Sequence, residues 1–264
     1  MSNMLSIAET AAWLKLRDGF LILTHRRPDG DTVGCAGALA QGLREAGKAA
    51  YVLPNPEITP RYLRFVEDYH APEGYEPENV VIVDTASRDL LPRNGDKFDG
   101  AISLCIDHHP SNALYAENTC LGGDYASCGE IIFEILLALS GSISPRSAER
   151  IYAAVSTDTG CFAFANTTAN TLRVAALAIE AGAPHRELNR LLFRTRTLGR
   201  IKIEGAIYSN LEFHFGGAVA ISIITRDMMK SAGGRGRHRR HIVPARIGEG
   251  REHRNNDSRD DVGE

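Results

Sequence analysis

The stretch Phe20-Leu21-Ile22-Leu23-Thr24-His25-Arg26-Arg27-Pro28-Asp29-Gly30-Asp31 decides the reading of this chain. Its first four residues have the length and apolar character of a buried strand. One imidazole and two carboxylates follow within seven residues, at positions 25, 29 and 31. A hydrophobic core gains nothing from such a cluster. In open α/β sheets, ligands collect beyond the carboxyl ends of the strands, so His25, Asp29 and Asp31 read as a site. Their nitrogen and oxygen donors suit a hard or borderline divalent cation.

The pattern recurs downstream. Val80-Val81-Ile82-Val83 is followed directly by Asp84, and the apolar run from Ala101 to Ile106 ends in Asp107-His108-His109-Pro110. The apolar segment from Ile151 to Val155 runs into Ser156-Thr157-Asp158-Thr159-Gly160. An Asp after a strand is also a favoured helix N-cap, and Asp84 alone fits either role. Four apolar segments that each end in an acid, two of them with histidine, are hard to assign to caps or surface ion pairs. If the acids converge, like charges raise one another's pKa values and burial adds a desolvation cost. Bound cations remove both penalties. His25, Asp29, Asp31, Asp84, His108 and Asp158 are too many for one ion with an open position. They suit two divalent cations sharing a bridging carboxylate, roughly 3.5–4 Å apart. Carboxylate and imidazole without thiolate favour Mn2+ or Mg2+ over a structural zinc.

These residues resemble the DHH phosphoesterase superfamily, named for the triplet present here as Asp107-His108-His109. The motifs THRRPDGDTVGC, VIVDTAS, CIDHHPSN and STDTGCFAFANTT occur in the family's order and approximate spacing. Within the superfamily the chain looks most like the nanoRNase/pAp phosphatase group, above all in Asp158-Thr159-Gly160-Cys161-Phe162 and Asn166-Thr167-Thr168. The resemblance covers about residues 5 to 230. It implies that His25, Asp29 and Asp84 hold one metal, and that Asp31, Asp84, His108 and Asp158 hold the other, with Asp84 bridging. Mn2+ is the expected ion and Mg2+ the alternative. The resemblance further implies that His109 faces the substrate phosphate as donor or acid, and that Asp107 orients the adjacent histidine, as ligating imidazoles commonly require. Cys35 stands where the family often has serine, so a weak thiol donor replaces a hydroxyl there.

A chain of 264 residues accommodates one large or two modest domains, and an apolar share of 43% supports a real core. No run of about 18 apolar residues exists, so no membrane span is expected. Ile7 to Leu16 reads as an amphipathic helix rather than a signal. Five cysteines, odd in number and without CxxC spacing, favour reduced thiols and the cytoplasm. A net charge of −3 gives no global nucleic-acid signature, so a nucleotide substrate must be held locally.

Strands alternating with helices predict an α/β fold, a mostly parallel sheet flanked by helices. Helices are expected from Gly34 to Ala46, Cys128 to Leu139, Ala148 to Val155, Thr171 to Ala181 and Arg186 to Phe193. Gly37 is expected to allow close packing on the sheet. The expected organisation is a metal-binding catalytic domain over 1–188, a linker helix over 189–208, and the start of a smaller α/β substrate-binding domain over 209–232. In that last part, Gly216-Gly217 between two strand-like runs signals a hairpin. Its exposed edges favour self-association into a homo-oligomer.

After Ser231 the apolar periodicity vanishes. Residues 233–264 are basic and polar, and their composition predicts disorder. They lack the further strands and the GGGH-type motif that the resemblance leads one to expect. A frameshift accounts for this: Arg237-His238-Arg239-Arg240-His241 can be encoded as AGA CAT CGA CGA CAT, which advanced by one nucleotide gives Asp-Ile-Asp-Asp-Ile. The alternative is a basic tail that contacts phosphates. The function expected by resemblance is metal-dependent hydrolysis of short oligoribonucleotides and 3′-phosphoadenosine 5′-phosphate by two-metal activation of water. The alternatives are a manganese-dependent inorganic pyrophosphatase of the same superfamily, or a truncated metal- or nucleotide-binding protein with little activity.

Overall fold

A computed structural model describes residues 2–233 and 239–243. The chain divides into two compact units, Met1–Thr195 and Arg196–Glu264. In the first, among the described residues, six parallel strands lie in the order β1-β6-β5-β4-β2-β3. These are β1 Asn3–Met4, β2 Phe20–Leu23, β3 Ala50–Val52, β4 Asn79–Val83, β5 Ile102–Asp107 and β6 Asn118–Leu121. The central strands β2, β4 and β5 are buried almost throughout. Both their faces are covered, which is why they read as continuous apolar runs rather than alternating ones.

The two faces are covered differently. One is covered by α2 Gly30–Glu45 and α4 Cys128–Ser140, with α1 Ile7–Lys15 beside α4, α5 Pro145–Asp158 packed on α2 and α4, α6 Ala169–Glu180 and α7 His185–Asn189 packed on α5, and the short α3 Pro60–Leu63 beside α2; all but α3 bury residues in one core. The other carries a smaller apolar cluster of Leu21, Leu23, Val80, Ile82, Ile102 and Cys105, covered by Leu53, Leu91, Ala116 and other residues of irregular segments. Strand β2 leads to β3 on one side, while β4 pairs on its other side. The chain therefore reverses direction across the sheet at β2, and this is where α/β sheets open a ligand crevice.

Several elements depart from the sequence reading. Helix α2 begins at Gly30 rather than Gly34, because the Asp29 carboxylate caps it by accepting from the Asp31 and Thr32 amides at 3.0 and 3.2 Å. Gly37 faces the Phe65 carbonyl and Arg150 rather than the sheet; the Arg150 Nε donates to that same carbonyl at 2.9 Å. The expected linker helix is broken. A π-helical turn, Arg190–Arg194, follows α7, and Thr195 closes it by donating its N–H to the Arg190 carbonyl at 2.8 Å. A new helix, α8 Leu198–Ser209, then starts on a Thr197 cap. The boundary between the units falls in this break.

The second unit pairs β7 Glu212–His214 antiparallel with β8 Val219–Ile224 across the Phe215–Gly217 turn, followed by α9 Arg226–Ser231. A further strand, β9 Arg239–Val243, pairs antiparallel with β8, within the segment whose composition predicted disorder. The free edge of β8 supplies a row of unpaired backbone groups that templates it. The rest of the expected frameshifted tail, 234–238 and 244–264, lies outside the described residues.

Helices α2 and α5 approach closely through Gly34, where an added Cβ would lie 2.5 Å from the Arg150 carbonyl oxygen. Ala is the better helix former, but a backbone atom cannot yield, so overpacking prevails. Gly34→Ala is expected to destabilise the first unit by about 1–3 kcal/mol. Denaturant unfolding followed through Trp13, the one tryptophan of the sequence, measures it; an unchanged midpoint would contradict this account of the helix contact.

Candidate metal centre

Strand register brings the sequence-predicted residues to one edge. Leu23 pairs with Ile82 and Val83 with Ile106. The ladder extends one step further, the Asp84 N–H donating to the Ile106 carbonyl at 2.8 Å. At the last residue of β5 stands Asp107, and past the ends of three adjacent strands stand His25, Asp84 and His108-His109. Asp29 and Asp31 arrive on the first turn of α2, and Asp158 is the last residue of α5. A helix C-terminus, not a strand end, thus delivers the fourth acid.

Among the described residues three groups of three ligand atoms form, each gathered within 4.8 Å, and two of them share no residue: His25, Asp29 and Asp84, and Asp31, His108 and Asp158. Asp84 stands between them. Its Oδ2 lies 3.8 Å from His25 Nε2, and its Oδ1 lies 3.5 Å from His108 Nε2. The His25 Nε2 is 3.7 Å from the Asp29 carboxylate. The His108 Nε2 is 3.8 Å from Asp31 and 3.5 Å from Asp158. Asp84 also gathers with His108 and His109, the His109 Nδ1 lying 3.6 Å from its Oδ1.

The rings are aimed by main-chain carbonyls. His25 Nδ1 donates to Arg26 O at 2.8 Å, and His108 Nδ1 donates to Tyr125 O at 3.1 Å. Both bonds fix the Nδ1 proton and turn Nε2 toward the acids, where a metal would take the place of any proton on it. Asp107 orients a different histidine from the one next to it. Its Oδ1 accepts the His109 ring Nδ1 at 2.8 Å and only the main-chain N–H of His108, at 2.9 Å, while Asn112 Nδ2 donates to its Oδ2 at 2.6 Å. Asp31 is held by α4, whose first amides, Cys128 and Gly129, donate to its two oxygens at 2.8 and 3.0 Å. Cys35 adds a thiol bond to Asp31 at 3.2 Å, so the position where serine was expected still donates to a candidate ligand.

Tyr125, Arg26 and the α4 amides were not foreseen, because main-chain groups leave no mark in the residue types. Asn112 did leave one: it lies five positions after Asp107 in the third motif.

Charge crowding sets the protonation of the cluster. Burial, then the carboxylates of Asp158 and Asp29, push Asp31 up to about 7 against the opposing pull of His108. Burial, then Asp31 and Asp29, hold Asp84 well above the usual carboxylate range. Burial likewise raises Asp158. His25 rises to about 9: burial opposes this, but hydrogen bonds and the charges of Asp29 and Asp84 outweigh it. One oxygen, Asp84 Oδ1, is buried without a hydrogen-bond partner. A divalent cation fits this donor set, since it would satisfy that oxygen and neutralise the surrounding acids.

Residues 19–156 match the DHH family, N-terminal domain. The chain belongs to the DHH family. It is 32% identical to a bifunctional oligoribonuclease and PAP phosphatase of Thermus thermophilus over 210 residues, covering 78% of this chain but 63% of that protein. A Bacillus subtilis protein of the same description is 30% identical over 226 residues, covering 83% of this chain and 71% of that protein. An exopolyphosphatase-related protein of Bacteroides fragilis shares the fold of this DHH chain, with a TM-score of 0.76, 20% identity, and coverage of 86% of this chain and 72% of that one.

Asp84 has φ +54°, a left-handed conformation that Asn also tolerates. Asp84→Asn should therefore fold. A carboxyl raised in the folded state contributes stability below its unfolded pKa of about 3.9 and loses it as pH rises through the raised value. In chelator, Asp84→Asn should raise Tm by about 2–4 °C at pH 8, on the order of 1 kcal/mol, and by less at pH 5. Excess Mn2+ should stabilise the wild type and do little for the variant. Equal stabilisation of both by Mn2+ would remove Asp84 from the centre.

Proposed function

We propose that this chain is a metal-dependent phosphoesterase that hydrolyses short oligoribonucleotides and 3′-phosphoadenosine 5′-phosphate. The observation that carries the reading is the pair of three-ligand groups meeting at one buried carboxylate with a partnerless oxygen. The names of the Thermus and Bacillus relatives support the substrate class. The sites would take two divalent cations, Mn2+ first and Mg2+ second. His25, Asp29 and Asp84 would hold one, and Asp31, Asp84, His108 and Asp158 the other. When bound, such cations neutralise charge developing on phosphoryl oxygens and lower the pKa of water.

His109 stands beside this cluster, 44% exposed, with Nδ1–H committed to Asp107. Its Nε2 is therefore the free edge of the ring. The hydrogen bond to Asp107 raises the His109 pKa, with burial opposing, which favours the protonated ring. It can donate that proton to the leaving oxygen or to a phosphoryl oxygen. Asp107 suits the task of holding the ring. Burial works to raise its carboxyl, yet the bonds from His109 and Asn112 leave it below the ordinary range, hence ionised.

In this reading binding energy from the remote parts of the substrate positions the reacting phosphate. The free edge of β7 is the surface for self-association into a homo-oligomer. Among the described residues no helix is long and apolar enough to cross a membrane. Five free cysteines, four of them buried, suit the reducing cytoplasm.

With Mn2+, the protein should release phosphate from 3′-phosphoadenosine 5′-phosphate and mononucleotides from a diribonucleotide, faster than it hydrolyses pyrophosphate. Two ions bound without turnover on any of the three would identify a binding protein instead. His109→Ala should keep both ions and lose about 10²–10⁴-fold in kcat. Metal content that falls in step with activity would make His109 a ligand. Asp84→Ala should lose more metal than Asp29→Ala, and calorimetry showing two ions still bound to Asp84→Ala would refute the bridging role.

A further inference from the structure

Glu130 is a fully buried carboxylate outside the ligand cluster. Burying such a group is costly unless its oxygens are matched by donors, and here they are. Oε1 accepts from the Ala126 N–H at 3.2 Å and from Thr171 Oγ at 2.8 Å, and Oε2 accepts from Asn170 Nδ2 at 2.8 Å. These bonds tie the first turn of α4 to the first turn of α6 and to the turn that precedes α4.

That preceding turn supplies support to one side of the metal centre. Tyr125 O accepts from the His108 ring, and the Cys128 and Gly129 amides hold Asp31. Ala126 O accepts at 3.2 Å from Asn166 Nδ2, which also donates at 3.2 Å to the carbonyl of Asp158. Ser127, the N-cap of α4, makes no capping bond, and its Oγ is buried without a partner. The turn is therefore fixed by Glu130 rather than by its own cap. The His25 side draws on other groups: Arg26 O for the ring and the Asp31 and Thr32 amides for Asp29.

We propose that Glu130 is a positioning residue for the Asp31–His108–Asp158 side of the centre, acting through the Tyr125–Gly129 turn. The assignment rests on the two-ion reading above. Its charge matters because three donors converge on it, and an amide in its place matches two of them at most without a flip of Asn170. Groups that orient ligands in this way typically contribute about 10–100-fold in metal affinity.

Calorimetric titration with Mn2+ on the full chain tests this with Glu130→Ala, Glu130→Gln and wild type. Glu130→Ala should weaken one of two ions by about 10–100-fold and leave the other near its wild-type affinity. Glu130→Gln should recover part of the loss. Amide hydrogen exchange on the metal-free proteins provides a second readout. Cys128 and Gly129 should exchange faster in Glu130→Ala, while Asp31 and Thr32 keep their wild-type rates. Equal weakening of both ions, or acceleration spread over all four amides, would show a role in general stability and overturn the proposal, as would unchanged affinity and exchange. A wild type that binds one ion only would overturn the two-ion reading, and the exchange pattern would then decide the Glu130 assignment by itself.

Discussion

Repulsion among buried carboxylates is the constraint on which this molecule is arranged. Asp31, Asp84 and Asp158 crowd one crevice, and burial raises all three. An arrangement so unfavourable to the metal-free protein persists only because the parallel sheet, the α2–α5 contact and the α4 N-terminus hold its parts from outside. Asp31, Asp84 and Asp158 come from three different elements, so no local relaxation can separate them. Histidines supply part of the balancing charge, which is why His25 keeps its proton so tightly.

The scaffold answers this constraint with main-chain groups more than with side chains. Asp31 meets helix amides, whose aligned dipoles favour a negative charge. His25 and His108 each donate to a carbonyl oxygen. Only His109 is oriented by a side chain, and that carboxylate, Asp107, is itself fixed by Asn112. A ring whose Nδ1 is fixed on a neutral carbonyl turns Nε2 to the acids, where a metal would take the place of any proton. A ring whose Nδ1 is paired with a carboxylate is favoured in its protonated form. The difference in acceptor separates the candidate ligands from the candidate acid.

The sheet and the candidate site were largely legible in the residues, for a physical reason. Strands buried on both faces are written as apolar runs, and a charged residue at the end of such a run has no structural motive. Thus β2, β4 and β5 and the acids after them could be read directly. Two short strands could not: the edge strand Asn3–Met4 is exposed, and Asn118–Leu121, though largely buried, opens with polar Asn and Thr rather than an apolar run. The start of α2 was missed because Pro28-Asp29-Gly30 has the composition of a turn, and the cap that starts the helix is itself a candidate ligand. The break at Thr195 was hidden because Arg190–Arg194 keeps helical composition while its hydrogen bonding shifts by one residue. Carbonyl acceptors such as Tyr125 O were beyond reach, because any residue type can supply them.

The left-handed backbone at Asp84 has an evolutionary consequence. Few residues accept that conformation: Gly freely, and Asn and Asp among the rest. Aspartate codons stand one nucleotide from those of both asparagine and glycine. A single mutation therefore removes the charge at the junction of the two ligand groups without any backbone penalty. Gene duplicates of this protein have a short path to stably folded, metal-free descendants that keep the crevice and the second unit. On the proposed function, such descendants would be free to be selected as nucleotide sensors rather than as enzymes.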